Sequence, residues 1–248
     1  MEKNDLIKAG ERLDDLHRSG YMLIQNSNYF SFGMDAVLLA YFAKLNKHDK
    51  HLDLCCGNGV IPILVAARQN IASHVGIEIQ KELADMARRS LIYNNLEDKI
   101  EIVHGDVNDA VKLVQNAGFD VVTANPPYII NSPESLINTS SHKAIARHEI
   151  LCTLNNVCAA ASWALRFGGR FYMVHRPARL ADIFCSLRAH GLEPKTMMLV
   201  QSIVNDEPNI VLISSIKGGK PQLNVLPNLV VYDKNGSYTK QMNKIYYG

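Results

Sequence analysis

The sequence predicts an α/β protein: a mostly parallel sheet with helices on both faces and an antiparallel hairpin near the C-terminus. Three observations carry this. From His51 to Val174, apolar runs of strand length alternate with helical stretches. Strands that alternate with helices need crossovers, and crossovers build parallel sheets covered on both sides. The first such strand also runs into a glycine-bearing turn, Cys55 to Gly59, that opens a helix. Finally, the apolar runs 195–204 and 210–216 are joined only by Asn205-Asp206-Glu207-Pro208-Asn209. That link is too short for a crossover helix, so the two runs are antiparallel.

Taken in order, residues 3–18 read as a short polar helix with Leu6, Ile7, Leu13 and Leu16 on its apolar face. Tyr21 to Ile24 reads as a strand. The segment Tyr29-Phe30-Ser31-Phe32-Gly33-Met34-Asp35 then leads into a helix, Ala36 to Lys44, with Asp35 as its N-cap. The repeating units follow. Strand 51–54 leads to helix 60–68, strand 75–77 to helix 81–94, and strand 100–103 to helix 107–116. The fourth strand, 119–124, runs into Asn125-Pro126-Pro127-Tyr128. Residues 129–143 read as a long loop, a class of segment that is more often functional than decorative. A helix over 149–166 closes at Gly168-Gly169, before strand 170–174 and helix 179–190.

Composition narrows the classes. With 248 residues, 47% of them hydrophobic, the chain can bury one large core. It has no apolar run near the roughly 18–20 residues of a membrane span. The charged start, Met1-Glu2-Lys3-Asn4-Asp5, carries no signal-peptide pattern. Five cysteines without C-x-x-C or zinc-type spacing read as reduced thiols of a cytoplasmic protein, and no metal site is expected. A net charge of +2 argues for no partner by itself. Its distribution is uneven. Between Arg166 and Lys195 there are five Arg and one Lys against Asp182 and Glu193, and from Lys217 onward five Lys against Asp233.

The chemistry concentrates where strands end. Pro126 and Pro127 cannot continue a central strand, because proline has no N–H for the ladder. The carbonyls of Asn125 and Pro126, the Asn125 side-chain oxygen and the Tyr128 ring therefore gather beyond the strand. Two acceptors beside a flat ring suit an amino group on a planar heterocycle. Gly57 and Gly59 let backbone approach a ligand at a helix N-terminus. The dinucleotide pattern G-x-G-x-x-G is incomplete, since Pro62 stands in its third place. Asp53, before the glycines, suits a cationic amino group and would repel a pyrophosphate. Glu78 suits ribose hydroxyls, and Asp106 an adenine amine. S-adenosylmethionine presents all of these groups. A nicotinamide dinucleotide does not.

These strand ends resemble those of the class I methyltransferases that act on exocyclic amino groups. More narrowly, the chain resembles the bacterial tRNA1(Val) adenine-N6-methyltransferase family. The matching segments are 11–16 (E-R-L-D-D-L), 32–40 (F-G-M-D-A-V-L-L-A), 53–59 (D-L-C-C-G-N-G), 125–128 (N-P-P-Y), 143–149 (K-A-I-A-R-H-E) and 176–182 (R-P-A-R-L-A-D). Tyr232 and Tyr238-Thr239 extend the resemblance into the tail. It implies a Rossmann-like methyltransferase domain over 36–217, an N-terminal segment 1–35 that covers the cofactor, and a basic tail 218–248. It further implies methylation of the adenosine immediately 3′ of the anticodon of a tRNA.

The candidate site follows. Asn125, Pro126 and Tyr128 are catalytic. Phe32, Gly33, Asp35, Asp53, Cys55 and Gly57 hold S-adenosylmethionine, together with Gly59, Glu78, Ile79, Asp106, Val107 and Asn125. Tyr128, Arg147, His148, Arg176 and Arg179 face the substrate. Other readings stay open at this level: methylation of a protein glutamine or a DNA adenine, a nicotinamide oxidoreductase, or a binding module without turnover. Oligomeric state is left open.

Overall fold

The computed structural model describes residues 3–29, 31–69, 73–128 and 152–248. The long loop read over 129–143, Arg147, His148 and the start of the helix read from Glu149 lie outside them. A nine-stranded sheet forms the centre. Its strands are β3 (Lys50–Leu54), β4 (Ser73–Glu78), β5 (Ile100–His104), β6 (Phe119–Ala124), β7 (Leu165–His175), β8 (Leu192–Gln201), β9 (Ile210–Lys217) and two short strands, β10 (Asn224–Val225) and β11 (Leu229–Val230). The order along the sheet is β5-β4-β3-β6-β7-β9-β8, with β10 and β11 both parallel to β8 at the outer edge. β3 to β7 are parallel to one another, and β9 inserts antiparallel between β7 and β8.

Two apolar layers sandwich this sheet. Helices α1 (Met34–Phe42), α2 (Val60–Arg68) and α3 (Lys81–Tyr93) pack with Val121, Tyr172 and Leu212 on one face. The short α4 (Ala110–Leu113), α5 (Leu154–Ala164) and α6 (Leu180–Ala189) pack with Leu52, Leu54 and Phe171 on the other. Alternation along β3 makes the division: Leu52 and Leu54 face one layer, and His51 and Asp53 face the other.

Four elements differ from the sequence reading. Residues 3–18 are not one helix. A 3-10 turn (Lys3–Leu6) precedes strand β1 (Glu11–Asp15), which pairs antiparallel with β2 (Met22–Asn26). Glu11 forms a buried ion pair with Arg89 of α3 at 2.6 Å, and Leu13 lies opposite Ile24. These long-range partners override the local helical pattern. Asp35 is not an N-cap: Gly33 holds that place, and Asp35 sits in the first turn, where Oδ1 accepts from Ala36 N. Gly168-Gly169 do not close a helix. Thr153 and Asn156 form a capping box for α5, the strand begins at Leu165, and the glycines lie where the β6–β7 register shifts. Residues 107–116 form a 3-10 turn (Val107–Asp109) and α4 instead of one helix.

The tail folds back on this frame. Its helix α7 (Lys240–Tyr247), capped by Thr239, buries Met242 and Ile245 against the α1 side, and Arg18 donates to the Ile245 carbonyl at 2.7 Å. Among the described residues, no helix is long and apolar enough to cross a membrane, and no group of His, Cys, Asp and Glu is arranged to hold a metal ion.

Candidate active site

The carboxyl ends of β3, β4, β5 and β6 open into one cavity of about 480 Å³, within the range of small-molecule sites. Parallel sheets place ligands at this end. Cys55, Cys56 and Gly57 line it from the turn after β3, Glu78 and Ile79 from the end of β4, Asp106 and Val107 from the end of β5, and Asn125 to Tyr128 from the end of β6. Phe32 comes in from the segment leading into α1, Asp35 from the first turn of that helix, and Arg176 from the end of β7.

The turn after β3 is held by the neighbouring strand. Glu78 Oε2 accepts from Gly57 N at 2.8 Å, and Oε1 accepts from Gln80 N at 2.9 Å. Burial raises the Glu78 carboxyl above the ordinary carboxylate value, and these backbone donors pull part of the way back. Gly59 stands at φ 84°, where an added Cβ would lie 3.2 Å from the Ala87 methyl. It is therefore a close-packing position between the turn and α3, beneath the cavity and not in its lining. Asp106 caps the turn after β5, its Oδ1 accepting from Asn108 N at 2.8 Å.

The far side of the cavity is organised around Tyr128. Its hydroxyl contacts Asp35 Oδ2 at 2.8 Å and also Asn125 Oδ1. The Arg176 guanidinium lies over the ring, 5.3 Å from its centroid, and donates to the Asn209 carbonyl at 2.8 Å. The His175 ring meets Tyr128 edge-on at 5.0 Å. Burial, and then the Asp35 carboxylate, push the Tyr128 phenol well above its ordinary pKa, so it stays protonated as a donor. His175 is held down to about 4 by burial and the nearby Arg179 charge, so it is neutral.

Several predicted residues stand elsewhere. Asp53 is fully buried and outside the lining: its Oδ1 is hydrogen-bonded with Thr123 Oγ1, and its Oδ2 has no partner. Burial pushes this carboxyl up to about 8, against the Thr123 hydrogen bond. Gly33 caps α1 without lining the cavity. Arg179 pairs with Asp182 at 2.7 Å and also stays outside it. The basic stretch 166–195 is largely offset in three dimensions: Arg166 pairs with Asp120, Arg170 with Asp49, and Arg188 with Glu193.

Other lining residues escaped the sequence reading. Ile61 and Leu83 give the cavity an apolar wall, and Gln80 and Cys152 complete it. Ile61 and Leu83 share the helical spacing of ordinary core positions, so periodicity could not single them out. Only the offset of Gln80, two residues past Glu78, was a usable signal.

A buried carboxylate oxygen without a partner, two strand-end acids and an apolar wall suit S-adenosylmethionine, which carries an ammonium, a ribose and an adenine. The strand order and this cavity define a class I S-adenosylmethionine-dependent methyltransferase. The fold is shared with solved structures. A predicted O-methyltransferase, protein Atu636 from Agrobacterium tumefaciens, superposes with a TM-score of 0.70 at 22% identity, over 86% of this chain and 95% of that one. Geranyl diphosphate C-methyltransferase from Streptomyces coelicolor, in complex with S-adenosyl-L-homocysteine, gives 0.55 at 13% identity, over 74% of this chain and 76% of that one.

Residues 23–182 match the family described as methyltransferase small domain, and the chain belongs to that family. It is similar to two bacterial proteins called tRNA1(Val) (adenine(37)-N6)-methyltransferase. The one from Porphyromonas gingivalis is 30% identical over 186 residues, covering 73% of this chain and 72% of that one. The one from Shewanella sp. MR-4 is 26% identical over 211 residues, covering 84% and 86%.

Proposed function

We propose that this methyltransferase modifies the exocyclic N6 amine of an adenine in tRNA, the adenosine immediately 3′ of the anticodon. The observation that carries this reading is the placement of Asn125, Pro126 and Tyr128 in the same cavity as Glu78 and Asp106. The names of the Porphyromonas and Shewanella relatives support tRNA as the acceptor and position 37 as the place. A tRNA acceptor in turn agrees with a cytoplasmic location.

In this reading Asp53 answers the cofactor's ammonium, Glu78 the ribose hydroxyls and Asp106 the adenine amine. Phe32 and Asp35 close the cavity from the N-terminal side. The cofactor supplies a methyl group on a positively charged sulfur. The protein's part is alignment and charge. An adenine amine is a weak nucleophile because its lone pair is delocalised into the ring. The Asn125 side-chain oxygen and the Pro126 carbonyl accept its two N–H, draw the nitrogen towards tetrahedral geometry and stabilise the positive charge that develops on it. The extra proton is acidic once the new N–C bond exists, so water takes it without a dedicated base. In-line placement of nitrogen, methyl and sulfur contributes the rest.

Tyr128 must yield Asn125 before the base arrives. A hydroxyl has one proton, and the Asp35 carboxylate is a stronger acceptor than an amide. Transfer of that hydrogen bond wholly to Asp35 frees Asn125 Oδ1. The base then stacks on Tyr128 where the Arg176 guanidinium now lies, and Arg176 moves to the base's outer face or to a phosphate, as planar guanidinium groups do in RNA sites. An anticodon-loop adenosine can be splayed out for such a pocket at small cost. Arg147 and His148 are assigned to tRNA contact in this reading.

The test is methyl transfer from labelled S-adenosylmethionine to bacterial tRNA that lacks the modification, followed by nucleoside analysis. N6-methyladenosine formed by the intact protein and not by Asn125→Ala is the expected result. Cofactor binding with methyl transfer to a protein glutamine or to DNA, and none to tRNA, overturns the assignment.

A further inference from the structure

Asp53 belongs to a row of four buried polar side chains on the sheet face covered by α1 and α2. Strand register builds the row: His51 lies opposite His74 across β3 and β4, and Asp53 lies opposite Thr123 across β3 and β6. His74 Nδ1 is 3.0 Å from His51 Nδ1, His51 Nε2 is 2.8 Å from Thr123 Oγ1, and Thr123 Oγ1 contacts Asp53 Oδ1. His51, Asp53 and Thr123 are fully buried, and His74 is 3% exposed. The row ends at Asp53, two residues before the turn that brings Cys55, Cys56 and Gly57 into the cavity.

Counting protons along the row gives two arrangements in which every link is a hydrogen bond. With Asp53 ionised, His74 Nδ1–H donates to His51 Nδ1, His51 Nε2–H to Thr123, and Thr123 to the Asp53 carboxylate. With Asp53 neutral, each bond reverses. Asp53 Oδ1–H donates to Thr123, Thr123 to His51 Nε2, and His51 Nδ1–H to His74 Nδ1, which leaves the His74 proton on Nε2. The two arrangements differ by one proton, and no histidine need be charged in either.

We propose that the row Asp53–Thr123–His51–His74 is a proton store beneath the cofactor site, which keeps Asp53 neutral in the free protein and gives up one proton when the cofactor's ammonium binds. The proposal rests on the reading that Asp53 answers that ammonium. On binding, the Asp53 Oδ1–H bond breaks, Thr123 and the two histidines exchange their hydrogen-bond directions, and one proton leaves for solvent from His74 Nε2. The net result is a carboxylate just behind the cavity wall that offsets the charge of an ammonium within the cavity, in a low-dielectric setting where an unmatched charge of either sign is costly.

The groups around Asp53 favour this assignment. Glu78, from the end of β4, raises the Asp53 carboxyl further by its negative charge. The Cys55 and Cys56 thiols, from the turn, are both raised and stay neutral. His51 and His74 are both held below their ordinary pKa by burial first, with the nearby Lys99 charge acting on His74, so neither competes for a positive charge. Glu78 is the one alternative source of the proton among these groups.

The test is isothermal titration of the full-length protein with S-adenosylhomocysteine, which has the same amino-acid end, in buffers of different ionisation enthalpy. The intact protein should release about one proton per ligand near neutral pH, and its affinity should rise up to about tenfold per pH unit below the titration of Asp53. Asp53→Asn should bind more weakly and release none. Thr123→Val removes the hydrogen bond that favours the charged carboxylate and should move proton release to higher pH, whereas Thr123→Ser restores it. Binding with no proton release and a flat affinity between about pH 5.5 and 8 overturns the proposal alone. So does full release by Asp53→Asn, which would assign the proton to Glu78. A ligand that binds at no pH overturns the cofactor site itself, and this inference with it.

Discussion

The two halves of the cavity are built by different means. On the side proposed for the cofactor, Glu78 and Asp106 each stand at the end of their own strand, and the turn is fixed over a short stretch of chain: Glu78 accepts from Gly57 and Gln80, and Asp106 caps its own turn. On the side proposed for the acceptor, Asn125 and Tyr128 depend on residues far away in sequence. Asp35 holds the hydroxyl, Arg176 covers the ring and His175 backs its edge. The first half is a property of the strand-turn-helix unit. The second is a property of the assembled fold, with the NPPY segment as its only local sign.

The largest expected effect breaks the acceptor half alone. Asn125→Ala should lower the rate of methyl transfer by roughly 10²–10³, the usual cost of deleting one preorganised polar group at a developing charge. Cofactor affinity should change little, as equilibrium titration would show. Tyr128→Ala comes next. Loss of a base–aromatic stack costs about 1–3 kcal/mol, and steady-state kinetics should show it mainly as a higher KM for tRNA. Tyr128→Phe keeps the ring and removes the hydrogen bond to Asp35, so its defect should be smaller. The opposite order would place the role of Tyr128 in its hydroxyl.

Glu78→Ala probes the other half. It removes two hydrogen bonds to a buried carboxylate, each worth about 1.5–3 kcal/mol. Calorimetry should show weakened cofactor binding, with the tRNA KM little changed. Arg176→Ala should have a more modest effect. A guanidinium moved onto the base's outer face contributes about 0.5–2 kcal/mol, so the loss should fall on tRNA capture and on the salt slope of binding.

The smallest expected effect is a pH dependence of stability, and it compares the free and loaded states. His51, His74 and His175 are held below their unfolded pKa, with His74 at about 3 and His175 at about 4. The unfolded chain therefore binds more protons at acid pH, so their contribution is complete above the ordinary histidine value, declines below it and is lost as pH falls through the folded values of about 4 and 3. Asp53 has the opposite sign. Its raised carboxyl, at about 8, makes the folded state bind more protons, so stability declines as pH rises towards 8. Thermal melts should show an acid-side fall and a shallower decline between about pH 7 and 8. Saturating S-adenosylhomocysteine should abolish the second and leave the first.

How far the sequence could be read follows the same division. Alternating strands and helices, the glycine turn and the strand-end acids are local patterns; they placed β3 to β7 and brought Glu78 and Asp106 to one cavity, while Asp53 lies outside its lining. The β1–β2 hairpin was misread as a helix because its determinants are the Glu11–Arg89 ion pair and its pairing with β2, neither of which leaves a local periodicity. The Tyr128–Asp35 hydrogen bond spans 93 positions, so Asp35 was read as a cap. The buried row was invisible for the same reason. His51 and Thr123 look like ordinary strand residues until register sets Thr123 opposite Asp53 and His51 opposite His74.

The most direct test of the divided cavity is to measure cofactor affinity and methyl transfer to tRNA side by side in Asn125→Ala and Glu78→Ala. The account predicts that Asn125→Ala binds S-adenosylhomocysteine as the intact protein does and yet forms almost no N6-methyladenosine. Glu78→Ala should bind weakly and recover much of its rate at saturating cofactor. Equal loss of cofactor affinity in both variants, or full activity in Asn125→Ala, would contradict it.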